Sequence, residues 1–292
     1  MSIDVLQDKI RKQKNPSMVS LELPLEALPT HFAELAEDHP ALAYGTFCKE
    51  LLKGLKGIVP AVRIPFGMFA LLGEEGCAQL SDVLKDAGEL GYYVLLDGLF
   101  LSTPLAAQMA ADALLGRDLW HCDGVVVPVY LGSDCVKPFL VRSREQQKDL
   151  FLQVMTSNKS APEIQNLRTG TRLVHSAAMD LVNRFGESLL GKYAYSQVAA
   201  VVGAGAPEMV RALREKYPHT FFLTDGYDYP NGNAKKCSVA FDRLGRGAVA
   251  CAGSSVTAAW KQAESDGTDY VEQAAEAAQR MKKNLTHYVT VL

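Results

Sequence analysis

The chain has 292 residues, of which 48% are hydrophobic, and 30 basic against 33 acidic side chains leave a formal net charge of −3. A chain of this size buries a full core without a disulfide or a metal to staple it, and the near-balanced charge, with no Lys/Arg block interleaved with aromatics, argues against a nucleic-acid partner. The six cysteines, Cys48, Cys77, Cys122, Cys135, Cys237 and Cys251, form no CxxC pair, so neither a zinc knuckle nor a disulfide framework is expected, and they read as reduced thiols in a cytoplasmic protein.

Residues 1–15 mix Asp4, Asp8, Lys9, Arg11 and Lys12 with isolated apolar positions, a pattern that predicts a surface helix and not a signal peptide. Short apolar runs follow at 18–21, 61–64, 92–96, 124–129, 150–155, 198–202, 220–223 and 247–251. Their near-continuous hydrophobicity is that of strands covered on both faces in a parallel sheet. Between them, 41–56, 74–89, 104–115, 173–190 and 207–217 carry apolar residues at helical spacing, and 268–283 closes the chain with a further amphipathic helix. The longest uncharged run, 98–111, contains Ser102, Pro104 and Gln108 and is well short of the roughly 20 apolar residues of a membrane span. Eight alternating strand-helix units predict one (β/α)8 barrel domain over 1–292.

Chemistry in such a barrel belongs at the C-terminal strand ends. That directs attention to Glu22, Arg63, Asp97, 130–134, 156–158, 203–205, 225–227 and 252–255. His121-Cys122-Asp123 reads as a loop or helix end, since adjacent residues point apart and no second cluster accompanies them. Gly203-Ala204-Gly205-Ala206-Pro207 lacks the full GxGxxG spacing and reads as a tight strand-to-helix turn with Pro207 at the first helical position. Asp97 is either a ligand contact or a structural hydrogen-bond acceptor. Trp260 and the clustered tyrosines read as core or interface. Asp225 and Asp228, in the polar turn-rich loop Asp225-Gly226-Tyr227-Asp228-Tyr229-Pro230-Asn231-Gly232-Asn233, form an acidic pair that repels a phosphate.

Several of these stretches recur together in one family. Lys14-Asn15-Pro16, Leu21-Glu22 with Leu28-Pro29, Val59-Pro60-Ala61-Val62, Tyr130-Leu131-Gly132-Ser133-Asp134 with Pro138-Phe139-Leu140, Thr156-Ser157-Asn158, Gln165-Asn166-Leu167, Ala200-Val201-Val202-Gly203-Ala204 with Pro207-Glu208, and Gly226-Tyr227, in this order and spacing, resemble the orotidine 5'-phosphate decarboxylases of the longer bacterial type. The resemblance implies decarboxylation at C6 of the orotate ring without cofactor or metal. It also implies an alternating Lys-Asp-Lys-Asp network whose centre is an Asp-x-Lys-x-x-Asp motif ending the third strand. Such electrostatic preorganisation is commonly the largest contribution to a rate enhancement.

In this chain the motif reads Asp97-Gly98-Leu99-Phe100-Leu101-Ser102. Leu99 stands in the catalytic lysine position, and the final aspartate is either replaced by Ser102 or lost with a short deletion before Ser102-Thr103. Arg63 stands in place of the other lysine, keeping the charge but not the compact ammonium. Glu22 stands where the family has its ribose-contacting aspartate. Pro230 and Ser254 stand where the family holds the 5'-phosphate with Gln and Arg, and each lost charge-assisted hydrogen bond removes roughly 1.5–3 kcal/mol of binding. Loss of a general acid alone removes about 10²–10⁴ in rate.

The resemblance therefore implies a catalytic site built on Arg63 and Asp97 but degenerate at Leu99, with a pyrimidine nucleotide held by Glu22, Thr156, Ser157, Gly226 and Ser254, and decarboxylase activity that is weak or absent. Two other outcomes stay open: an active decarboxylase with a rearranged charge network, or a non-catalytic partner of an active paralogue. The family's homodimer, formed through the mouth side of the barrel, implies a homodimer here, or a heterodimer with such a paralogue.

Overall fold

The computed structural model describes residues 1–98, 103–116, 120–230 and 232–292; Leu99 and Ser102 lie outside the described residues. Eight strands form at the predicted places: β1 (Ser17–Ser20), β2 (Ala61–Pro65), β3 (Tyr93–Asp97), β4 (Gly124–Pro128), β5 (Asp149–Gln153), β6 (Val198–Gly203), β7 (Phe222–Asp225) and β8 (Ala248–Ala252). All pair in parallel with their chain neighbours, and β8 pairs β1, with Met18 opposite Cys251, to close the barrel. Boundaries differ from the sequence expectation by one or two residues because burial begins before the ladder does. Thr220 and Phe221 are already buried, yet β7 starts at Phe222.

Helices Pro40–Leu55, Gly73–Glu89, Pro104–Leu114, Ser133–Gln146, Val174–Gly186, Pro207–Lys216 and Tyr270–Tyr288 cover the barrel. Their starts follow elementary capping rules. Thr103 Oγ1 accepts from the Ala106 amide at 3.1 Å with Pro104 in the first turn, and Pro207 opens its helix as expected. The crossover from β5 to β6 is longer than a simple loop. It holds a short helix, Pro162–Gln165, and an antiparallel hairpin pairing Arg168–Thr169 with Arg172–Leu173, neither of which the strand pattern signalled.

Strand side chains alternate between two apolar layers. Val62, Ile64, Val94, Leu96, Val125, Val127, Leu150 and Leu152 face the helices. Ala61, Tyr93, Leu95, Val126, Phe151, Val201, Leu223 and Cys251 fill the interior. The N-terminal helix, Ser2–Gln13, corrects the expectation of a purely surface element. Ile3, Leu6 and Ile10 are buried against that interior set, so the helix stoppers the bottom of the barrel and leaves the other end as the mouth. Among the described residues no helix is long and apolar enough to cross a membrane. The described cysteines are unpaired.

Candidate functional site at the barrel mouth

The alternation that puts Ala61, Tyr93, Leu95 and Leu223 inside also puts Arg63, Asp97 and Asp225 inside, at the mouth end of β2, β3 and β7. Arg63 lies opposite Leu95 in the ladder and Asp97 two pairs higher, opposite Pro65, so the long guanidinium stem must reach upward to meet carboxylates. It does so on both sides. Arg63 Nε donates to Asp97 Oδ2 at 2.7 Å with a second donation from Nη2 to the same oxygen, while Nη1 donates to Asp225 Oδ1 at 3.0 Å. All three side chains are largely buried, at 11%, 17% and 21% exposure for Arg63, Asp97 and Asp225. Burial works against the Arg63 charge, but Asp225 and Asp97 outweigh it and raise its pKa well above the ordinary value.

Glu22 sits two residues beyond Ser20, whose hydroxyl donates to Glu22 Oε2 at 2.9 Å. Burial pushes its pKa up. Ser20 and Arg63 pull it down, and the Asp225 and Asp228 charges push it up further. Glu22 packs on the turn after β8, where a Cβ on Gly253 would lie 2.5 Å from Glu22 Oε1. That turn is already ligated. Asp228 Oδ2 accepts from the amides of Gly253 at 2.9 Å and Ser255 at 3.0 Å.

On the far side, Ser157 Oγ donates to the Asp225 carbonyl at 2.9 Å, and Gly226, at φ +81°, approaches so closely that a Cβ would meet Ser157 Oγ at 2.5 Å. Thr156 is held by Gln165: its amide donates to Gln165 Oε1 at 2.9 Å, and Gln165 Nε2 donates to Thr156 Oγ1 at 2.8 Å. These segments wall a cavity of about 760 Å³, lined by Met155, Ala161, Pro162, Met209, Tyr229 and Pro230 among others, with Thr156, Ser157 and Lys159 at its polar edge. A mostly apolar cavity with a few convergent polar groups is the ordinary character of a small-molecule site.

Of the residues singled out from sequence, Arg63 and Asp97 touch. Ser157 and Gly226 join them through Asp225, Thr156 adjoins Ser157, and Glu22 borders the β8 turn. Ser254 is exposed at the start of the short helix Ser254–Thr257, between the two amides that Asp228 holds. Asp225 is among the strand-end positions read from sequence and Asp228 pairs with it there as a charge that repels a phosphate, but neither is expected to partner Arg63 or the β8 turn. The parity of β7 gives Asp225 its inward direction and so its contact with Arg63. Nothing local marks Asp228, because its partners lie 25 and 27 residues away. Among the described residues no group of three His, Cys, Asp or Glu side chains is placed to hold a metal ion.

No protein-family model matches the chain. An orotidine 5'-phosphate decarboxylase from Rhodopirellula baltica is 30% identical over 293 residues, covering 96% of this chain and 97% of that one, and one from Clostridium perfringens is 26% identical over 286 residues with 98% of each chain covered. The structure of Leishmania donovani OMP decarboxylase superposes with a TM-score of 0.71 at 22% identity, covering 97% of this chain and 98% of that one, a likeness of fold. End-to-end similarity at this level, on a closed eight-stranded barrel with its polar cluster at the mouth, places the chain in the orotidine 5'-phosphate decarboxylase family.

Proposed function

We propose that this chain is a pyrimidine-binding member of the family that does not decarboxylate orotidine 5'-phosphate. The observation that supports this reading is the state of Arg63. In the family reaction the bond from C6 to the carboxylate carbon breaks, carbon dioxide leaves, and the electron pair left on C6 takes a proton from a lysine ammonium. Here the cation at the mouth is a guanidinium engaged by Asp97 and Asp225 together, its pKa raised, which makes it a poor proton donor. The position of the second lysine is Leu99, whose side chain has no proton to give.

The test is the ultraviolet absorbance decay of orotidine 5'-phosphate at high protein concentration, beside Asp97→Ala. No decay is the expected result. Decay that disappears in Asp97→Ala overturns the reading. A second reading, a working decarboxylase with a rearranged network, draws on Lys159, an ammonium at the cavity edge. Decay abolished by both Asp97→Ala and Lys159→Ala selects it.

A further inference from the structure

Resting on the reading that the mouth takes a pyrimidine ligand, we infer that its ligand carries no phosphate: the chain's own Asp228 carboxylate fills the anion-binding turn after β8, leaving a site for a nucleoside or free base. In (β/α)8 barrels the loops after the seventh and eighth strands are a common phosphate cradle, built from backbone amides that point at the anion. In this protein the loop after β7 delivers Asp228 to that place, and one carboxylate oxygen accepts from both Gly253 and Ser255 amides. A carboxylate with two amide donors at 2.9 and 3.0 Å is a satisfied, charge-assisted arrangement, so a phosphate must displace it to reach the same donors.

The two described side chains that flank this turn offer a phosphate no charge in return. Pro230 on the same loop has no polar side-chain atom, and Ser254 between the two amides offers only a hydroxyl. The charges nearby are adverse. Asp225 and Asp228 both act unfavourably on the Glu22 charge, and the Arg63 guanidinium is taken by Asp97 and Asp225. A phosphate monoester bearing about two negative charges enters against these carboxylates. The cavity of about 760 Å³ beside them is of the opposite character, with Met155, Met209, Tyr229 and Pro230 as apolar walls, Thr156 and Ser157 as neutral hydrogen-bonding groups, and the charge of Lys159 carried by an exposed side chain. It suits an uncharged ring and sugar.

Calorimetric titration of the intact protein with uridine and with uridine 5'-phosphate isolates the phosphate, the only difference between the two probes. Uridine is expected to bind at least about tenfold tighter than its 5'-phosphate. In Asp228→Ala, and less so in Asp228→Asn, the ratio moves toward the phosphorylated probe by about tenfold as the two amides become available. Uridine 5'-phosphate binding as tightly as uridine or tighter to the unaltered protein overturns the inference, as does failure of both probes to bind. An unmoved ratio in a folded Asp228→Ala also overturns it. If Asp228→Ala fails to fold, Asp228→Asn and the unaltered protein decide. Decay of orotidine 5'-phosphate with uridine still preferred defeats the reading of absent decarboxylation alone, whereas no decay with the 5'-phosphate preferred defeats this inference alone.

Discussion

Arg63 is the residue on which the mouth depends. Three hydrogen bonds to two carboxylates fix its guanidinium, and the three side chains are mostly shielded from water. A buried ion network of this kind is not a large net gain over apolar packing, because desolvation offsets the attraction, but removing one partner strands the others. Arg63→Ala is therefore expected to cost about 3–5 kcal/mol at neutral pH, read from urea unfolding, because Asp97 and Asp225 then face each other without a cation. Arg63→Lys should cost less while losing the two-sided grip, since an ammonium cannot present a planar fork to two carboxylates. A loss below about 1 kcal/mol in Arg63→Ala would show that water already screens the cluster.

At the scale of elements, the legible and illegible parts of this protein separate by range. The eight strands announced themselves through apolar runs. With their period-two parity they also placed Arg63, Asp97 and Asp225 on the inward face of one end. What stayed hidden was set by long-range packing. The hairpin after β5 is two short exposed strands without an apolar pattern, and Asp228 is defined by amides in another unit of the barrel. Gly203, the last residue of β6, shows how tightly these units meet. A Cβ there would lie 2.8 Å from Ser157 Oγ and 2.9 Å from the Thr156 carbonyl, and the second of these is backbone that cannot rotate away. Gly203→Ala should cost about 1–3 kcal/mol and weaken uridine binding by displacing the 156–158 loop. Calorimetric unfolding and titration of the same variant check both parts, and unchanged stability with unchanged affinity would mean that this loop yields freely.

The molecule as a whole is asymmetric from end to end. Charge that acts on ligands collects at the mouth, while the bottom is sealed by Ile3, Leu6 and Ile10 of the N-terminal helix over Tyr93 and Phe151. Within that seal lies Asp149, the first residue of β5, fully buried and accepting from the Tyr93 hydroxyl at 2.7 Å. Burial raises its pKa well above the ordinary 3.8, against the pull of Tyr93, and nearby Asp123 raises it further. The folded state therefore holds a proton on Asp149 that the unfolded chain releases above its ordinary pKa. The stability this proton contributes is complete below that ordinary value and is lost as pH climbs through the raised folded value, with a slope of at most about 1.4 kcal/mol per pH unit. Asp149→Asn keeps an acceptor for Tyr93 and has no proton to lose. Its unfolding free energy relative to the unaltered protein should accordingly rise as pH climbs from the ordinary carboxylate pKa and level off only above the raised folded value, measured by denaturant titration as a function of pH. Because β5 runs its whole length between Asp149 and the mouth, uridine affinity should not change in the same variant. A pH-independent stability difference would remove the buried proton, and a changed affinity would mean that the bottom and the mouth are coupled through the barrel interior.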